Sequence, residues 1–258
     1  MSEFFDALET RSADEREAAL MAALPRQIAQ AQAASPALAE SLAGVDAQAV
    51  TSRAALAQLP VTRKSELLAR QQAARAAGGD AFGGFAAVRY GPQLARVYAS
   101  PGPIYEPEGT ARDYWRTGRS LYAAGFRAGE LVHNAFSYHM TPGAFIMEAG
   151  ARAVGCSVFP AGTGQTEQQL QAIAELRPAG YLGTPSFLRI LVEKGEEAGT
   201  DLRSLRKGLV GGEAFTPSLR DWFGARGMAV FQNYATADVG LIAYETVARE
   251  GLVLDEGV

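Results

Sequence analysis

Cysteine and histidine are almost missing from this chain of 258 residues, which holds one cysteine, Cys156, and two histidines, His133 and His139. A single cysteine excludes an internal disulfide and suits a reducing compartment. It lies in the apolar run GCSVFPA and reads as a buried, inert thiol. Positive charge is not in excess either: 24 lysines and arginines against 28 acidic residues leave a net charge of −4, and no basic cluster is visible. That balance excludes the electrostatic footprint of a nucleic-acid binder. No apolar run is long enough to span a bilayer. The acidic start, MSEFFDALETRSADERE, lacks the basic-then-apolar pattern of a secretory signal, so a cytoplasmic protein without a membrane partner is expected. Several catalytic signatures are also absent: there is no G-x-S-x-G elbow, no H-E-x-x-H and no complete Walker A loop. GTGQ at 162–165 is too short for G-x-G-x-x-G, which leaves a nicotinamide-binding enzyme a weak reading. No long-period repeat appears.

What is present divides in two. Residues 14–76 are rich in alanine and read as helices. Leu20, Leu24 and Ile28 recur at helical spacing, Pro25 marks a break or kink, and further helices are expected over Asp46–Gln58 and Thr62–Ala76. The run AAGGDAFGGF closes this section as a loop. A helical segment is therefore expected over residues 1–80, packing on an α/β domain over 81–258. In the second part, short apolar runs (LARVYA, ELVHNAF, CSVFPA, GYLG, KGLV, MAVFQ) alternate with segments of helical pattern starting near Arg112, Pro142, Thr166, Pro185 and Pro217. Such alternation predicts a largely parallel sheet flanked by helices. The final GLVLDEGV reads as a strand without a closing element, as though the domain were incomplete.

Three dipeptides, Thr141-Pro142, Thr184-Pro185 and Thr216-Pro217, combine an N-cap with proline at the first helical position. TEQQ at 166–169 fits a capping box in which Gln169 reaches back to the amide of Thr166. In a parallel sheet these helix starts gather at the carboxyl edge, where open α/β folds bind ligands and exposed amides favour anions. His133 reads as structural, whereas His139, beside Tyr138 at a strand end, is placed for a pocket. LVGGEAFTP (209–217) joins a strand to a capped helix through two glycines that let the main chain approach a flat ligand. FQNYATADVG (231–240) reads as a strand ending in a polar turn that carries Tyr234, Thr236 and Asp238. Such a turn offers a ring for stacking, a hydroxyl, and a carboxylate for magnesium.

Taken in order, FPAGTGQTEQQ (159–169), YLGTPSFLRIL, LVGGEAFTPSLR and FQNYATADVGLIAYE resemble the phenylacetate–CoA ligase branch of the adenylate-forming synthetases, and SRAALAQLPVTRKSELL (52–68) is similar to a passage near the start of those ligases. The resemblance runs from about residue 25 to the end. It implies an AMP-forming acid–thiol ligase acting on an aryl or similar small carboxylic acid, with ATP or AMP, Mg2+ and coenzyme A as cofactors. It also implies a homodimer, and a small C-terminal domain following Val258. Gly211, Gly212, Glu213 and Ala214 would lie along the adenine. Gln232, Asn233, Tyr234, Ala235 and Thr236 would form the nucleotide turn, with Tyr234 stacking, Thr236 near phosphate and Asp238 as the metal-binding carboxylate. Phe136, Tyr138 and His139 would line the acyl pocket.

YASPGPIYEPEG (98–109) stands where the family has its phosphate loop and shows a strand–turn–helix outline with the following segment. Ser100, Gly102 and Pro107 keep the family's residues, while Pro103, Ile104, Tyr105 and Glu106 replace two threonines, a glycine and a lysine. Ala237 takes the place of a phosphate-binding hydroxyl. Besides a ligase, two readings remain open: a non-catalytic adenylate or acyl binder, and a structural half completed by a second chain.

Overall fold

The computed structural model describes residues 3–258, which form two compact units, one of residues 10–110 and one of residues 3–9 with 111–258.

In the first unit, Ser12 caps the long helix α1 (Ala13–Ala34) through a capping box with Glu15. Pro25 removes one internal donor, yet α1 runs through it without the expected break; the alanine- and glutamine-rich turns on either side are strong helix formers. Helix α2 (Pro36–Ser41) follows, capped by Ser35. The single helix expected over Asp46–Gln58 is instead two short pieces. Asp46 caps a 3₁₀ turn at Ala47–Ala49, and Ser52 caps α3 (Arg53–Leu56), so local side-chain acceptors win over helix continuation. Ile28, Leu42, Ala47 and Val50 form the core here. Helix α4 (Lys64–Ala76) precedes an antiparallel hairpin of β1 (Leu94–Ser100) and β2 (Ile104–Gly109). The buried Gln71 of α4 acts as a strand partner, donating to the Tyr105 carbonyl and accepting its amide, both at 2.9 Å. The strand–turn–helix outline expected at 98–115 is thus corrected: a second strand follows the turn, and LARVYA lies outside the parallel sheet.

The second unit is the α/β body. Its elements are α5 (Gly118–Ala123), β3 (Leu131–Asn134), α6 (Gly143–Val154), β4 (Ser157–Pro160), α7 (Thr166–Leu176), β5 (Gly180–Gly183), α8 (Pro185–Ala198), β6 (Lys207–Val210), α9 (Pro217–Gly224), β7 (Ala229–Thr236), β8 (Gly240–Tyr244) and β9 (Val253–Leu254). The sheet order is β4-β3-β5-β6-β7-β8-β9. The first five strands are parallel and the last two pairings antiparallel. Leu170, Ile173, Leu188, Leu191 and Phe223 of α7, α8 and α9 share one core with Tyr181, Val210 and Val230 of the strands. Helices α5 and α6 approach so closely that a Cβ on Gly150 would stand 2.4 Å from the Thr117 hydroxyl oxygen; only glycine fits there.

Thr184 and Thr216 cap α8 and α9 as expected. Thr141 does not cap α6: Pro142 occupies the cap position in helical conformation and makes no side-chain cap hydrogen bond. The capping box at TEQQ is also corrected. Gln165, in left-handed conformation (φ 51°), precedes α7, and Gln169 turns inward instead.

Candidate functional site

The order of the parallel strands reverses at β3. From β3 the chain moves outward to β4, then returns past β3 to β5 and continues through β6 to β7. The crevice beyond the carboxyl ends of β3 and β5 is the switch point at which open α/β sheets bind ligands. The residues after β3, β5 and β6 meet there. Gly212 has φ +80°, and a Cβ built on it would lie 3.9 Å from both the Phe136 ring and the Thr184 methyl. Gly143, at the start of α6, places the same ring within 3.8 Å of its own notional Cβ. Phe136 is therefore held between the α6 start and the Gly211–Ala214 segment, half-buried, with Gly212, Glu213 and Ala214 exposed beside it. Glu213 turns toward the first turn of α8, where its carboxylate accepts the Ser186 amide at 3.4 Å.

Asn233 joins this group from β7. A Cβ on Gly211 would come within 2.5 Å of Asn233 Oδ1, so the glycine makes room for the amide. Asn233 Nδ2 contacts Met147 Sδ of α6 at 3.5 Å. Tyr234, next along, is 55% exposed, which leaves its ring open to stacking. The polar turn expected after Phe231 lies later than its sequence suggested. β7 continues through Thr236, with a register shift at Tyr234/Ala235, and pairs with β8. Thr236 closes the hairpin by accepting the Val239 amide at 3.2 Å, and Asp238 is exposed at its tip.

The other aromatics take different surroundings. Tyr138 packs edge-on against Phe145, and its hydroxyl accepts from Asn134 and donates to Glu148, each at 2.9 Å. Burial, then that carboxylate, push its ionisation well above the usual phenol range. His139 is exposed at the loop. Ser100 and Gly102 belong to the hairpin of the other unit, where the Ser100 hydroxyl donates to Glu106 at 2.8 Å. Among the described residues, no three histidine, cysteine or acidic side chains gather as a metal centre.

Two features beside the crevice escape sequence reasoning. Gln169 is buried, donates from Nε2 to the carbonyls of Gly162 and Gly164 at 2.9 and 2.7 Å, and accepts from His133 Nε2 at 2.7 Å. With its amide nitrogen committed to carbonyls, Gln169 requires the proton on His133 Nε2. The imidazole lies between the rings of Phe159 and Tyr181, and burial lowers its ionisation below the usual histidine value. His133 is structural, as its surroundings in the sequence imply, but its partner lies 36 residues away. The second feature is Glu245, buried directly after β8 and paired with Arg220 of α9 at 2.7 Å.

Comparison with known proteins bears on the family and the fold. The family model described as "AMP-binding enzyme" matches residues 116–254, just over half of the chain. A phenylacetate-coenzyme A ligase of Aromatoleum evansii is 34% identical over 206 residues, 76% of this chain and 44% of the relative. One of Thermus thermophilus is 32% identical over 189 residues, 69% of this chain and 40% of its own length. The chain thus spans less than half the length of these curated relatives. A solved 2-hydroxyisobutyryl-CoA ligase, in complex with 2-HIB-AMP and CoA, has a TM-score of 0.86 at 23% identity, covering 98% of this chain and 56% of that one; it shows the shared fold. By fold, by the crevice at its switch point and by the matched family model, the chain belongs to the AMP-binding enzymes.

Proposed function

We propose that this chain carries the adenylate-binding part of an AMP-forming acyl-CoA ligase that activates an aryl or similar carboxylic acid. The observation that carries the reading is the convergence of Phe136, Thr184 and Gly212 at the switch point, with Asn233 and Tyr234 alongside. A flat, exposed glycine segment and an available phenol ring form a surface for a purine. Phe136 offers an apolar wall for an acyl group next to it. In such a ligase the acid attacks the α-phosphate of ATP, releasing pyrophosphate, and the thiol of CoA then displaces AMP. Mg2+ fits only as an ion held largely by substrate phosphates, because Asp238 contributes one carboxylate at a hairpin tip; bound there, it would neutralise charge developing on phosphate. The chain's own residues stack the base, orient the acyl group and present a single carboxylate. Tyr138 and His139 enter the proposal as the outer part of the acyl pocket.

Titration calorimetry with AMP, ATP and phenylacetate tests the reading. AMP binding is expected, and Tyr234→Ala should weaken it by about 5- to 100-fold, the worth of one stacked base. No heat with any of the three ligands would sink the proposal. A second reading, a binder that holds adenylate without activating ATP, is favoured by Pro101 and Pro103 at the hairpin tip and by Ala237. It predicts equal affinity for AMP and ATP.

A further inference from the structure

Arg220 and Glu245 lie outside the glycine segment and the nucleotide turn, yet Arg220 contacts Phe215, which directly follows the first, and Glu245 contacts Gln232 of the second. Arg220 is on α9, and Glu245 directly follows β8. The guanidinium donates to the two carboxylate oxygens at 2.9 and 2.7 Å, and also to the Val230 carbonyl at 3.2 Å. The side chains are only 17% and 5% exposed. A bidentate fork of this kind fixes orientation as well as charge.

Each partner has a second contact. Glu245 Oε2 accepts the Gln232 amide at 3.3 Å, and the Glu245 amide donates to the Gln232 carbonyl at 2.9 Å. Gln232 is the last residue of β7 paired with β6, and Asn233 is paired with Tyr244 of β8. The carboxylate therefore clamps β7 where it changes partners, two residues before Tyr234. On its other side, the Arg220 guanidinium lies over the ring of Phe215, 4.6 Å from its centroid. Phe215 is buried and directly follows Gly211–Ala214. One ion pair thus links Phe215, at the end of the glycine segment, to the strand that carries Asn233 and Tyr234.

We propose that Arg220 and Glu245 are positioning residues for the nucleotide, holding both walls of the purine surface in one register before ligand arrives. The inference rests on the adenylate reading above. A buried ion pair contributes little net stability over an apolar replacement of the same shape, so its presence here fits a geometric role. Preformed walls raise affinity by sparing the ligand the cost of ordering them.

The test uses the full chain and AMP as the probe, with R220M, E245Q and R220K as variants. K207M is the control: it breaks another partly buried pair, Lys207–Glu130 at 2.7 Å, at the amino end of β6 away from the crevice. Thermal melts are recorded for all. R220M and E245Q should weaken AMP by about tenfold or more, and R220K, which keeps the charge but not the fork, by less. K207M should lose melting temperature while holding AMP affinity within about twofold. In amide NMR spectra, Gln232 and its neighbours should shift in E245Q and stay in place in K207M. Unchanged AMP affinity in E245Q and R220K, or an equal loss in K207M, would overturn the proposal and leave the pair structural. If R220M does not fold, the other two variants carry the comparison. A wild-type chain that binds no AMP refutes the adenylate reading and this inference together, whereas wild-type binding with unaffected variants refutes the inference alone.

Discussion

Replacing Gln169 by leucine should destabilise the α/β unit far more than an ordinary substitution in the first turns of a helix. Gln169 is 3% exposed, and its carboxamide serves three groups at once: the His133 ring N–H and the carbonyls of Gly162 and Gly164. Leucine fills a similar space but offers no partner. His133 is 1% exposed and cannot turn to water, so its stranded N–H costs about 1–3 kcal/mol. The two carbonyls belong to a partly exposed loop where water replaces the amide, so together they lose only about 1 kcal/mol. The sum is about 2–4 kcal/mol, or a fall in melting temperature of roughly 4–16 °C for a chain of this size.

The double variant Q169L/H133F separates this account from simple loss of packing. Phenylalanine keeps the aromatic stack between Phe159 and Tyr181 and has no N–H to strand. It should therefore recover about 1–2 kcal/mol of the loss seen in Q169L. Urea unfolding of the wild type, both single variants and the double variant gives the cycle. A double variant as unstable as the sum of the singles would refute the reasoning.

Two further outcomes follow from the buried groups. Burial lowers the ionisation of His133 below its ordinary value, so the unfolded chain takes up this proton first as pH falls through about 6.5. Stability should drop between pH 7.5 and 5.5 in wild type and drop less steeply in H133F; equal slopes in urea midpoints would rule this out. Burial, followed by the charge of Glu130, pushes the Cys156 thiol up to about 11. A thiol-reactive dye at pH 8 should label the folded chain much more slowly than the urea-unfolded chain, and equal rates would show that the thiol is accessible.

Much of the α/β body is legible in the sequence because its signals are local. The five parallel strands are short apolar runs, and the threonine–proline caps at 184 and 216 act within one turn of chain. The glycine segment at 211–214 and the strand from Phe231 read as neighbours of a flat ligand, and the fold brings them together with Phe136. Elements whose partners are distant are harder to read. In β2 the inward positions are Ile104, Glu106 and Glu108, and Pro107 interrupts the donors, so IYEPEG resembles a polar turn. Across the hairpin Glu106 Oε1 accepts from Ser100, and Glu108 accepts from Tyr98 and Arg96. Gln169 looks like a local cap because its spacing from Thr166 fits one, but tertiary contacts with His133 and the glycine loop take its side chain instead. Glu245 has no sequence signal at all, since its importance comes from where β7 changes neighbours.

The same hairpin alters the physical argument about phosphate. In the sequence, Glu106 in place of a lysine suggests repulsion of a polyphosphate. In the fold Glu106 is buried and accepts the Ser100 hydroxyl, while Glu108 accepts from the Tyr98 hydroxyl and pairs with Arg96 at 3.0 Å. Both carboxylates therefore belong to the interior of the hairpin, and a lysine at 106 would strand a cation there in exchange for the Ser100 contact. What the tip itself presents is Pro101-Gly102-Pro103, two of whose three residues have no N–H. The tip is also tight, for a Cβ on Gly102 would approach the Ile104 and Leu68 side chains within 3.1 and 3.2 Å. Loops that hold phosphate do so chiefly through converging backbone amides. The weakness of this hairpin as an anion grip thus lies in missing donors rather than in misplaced charge, and the prolines rather than the glutamates account for it.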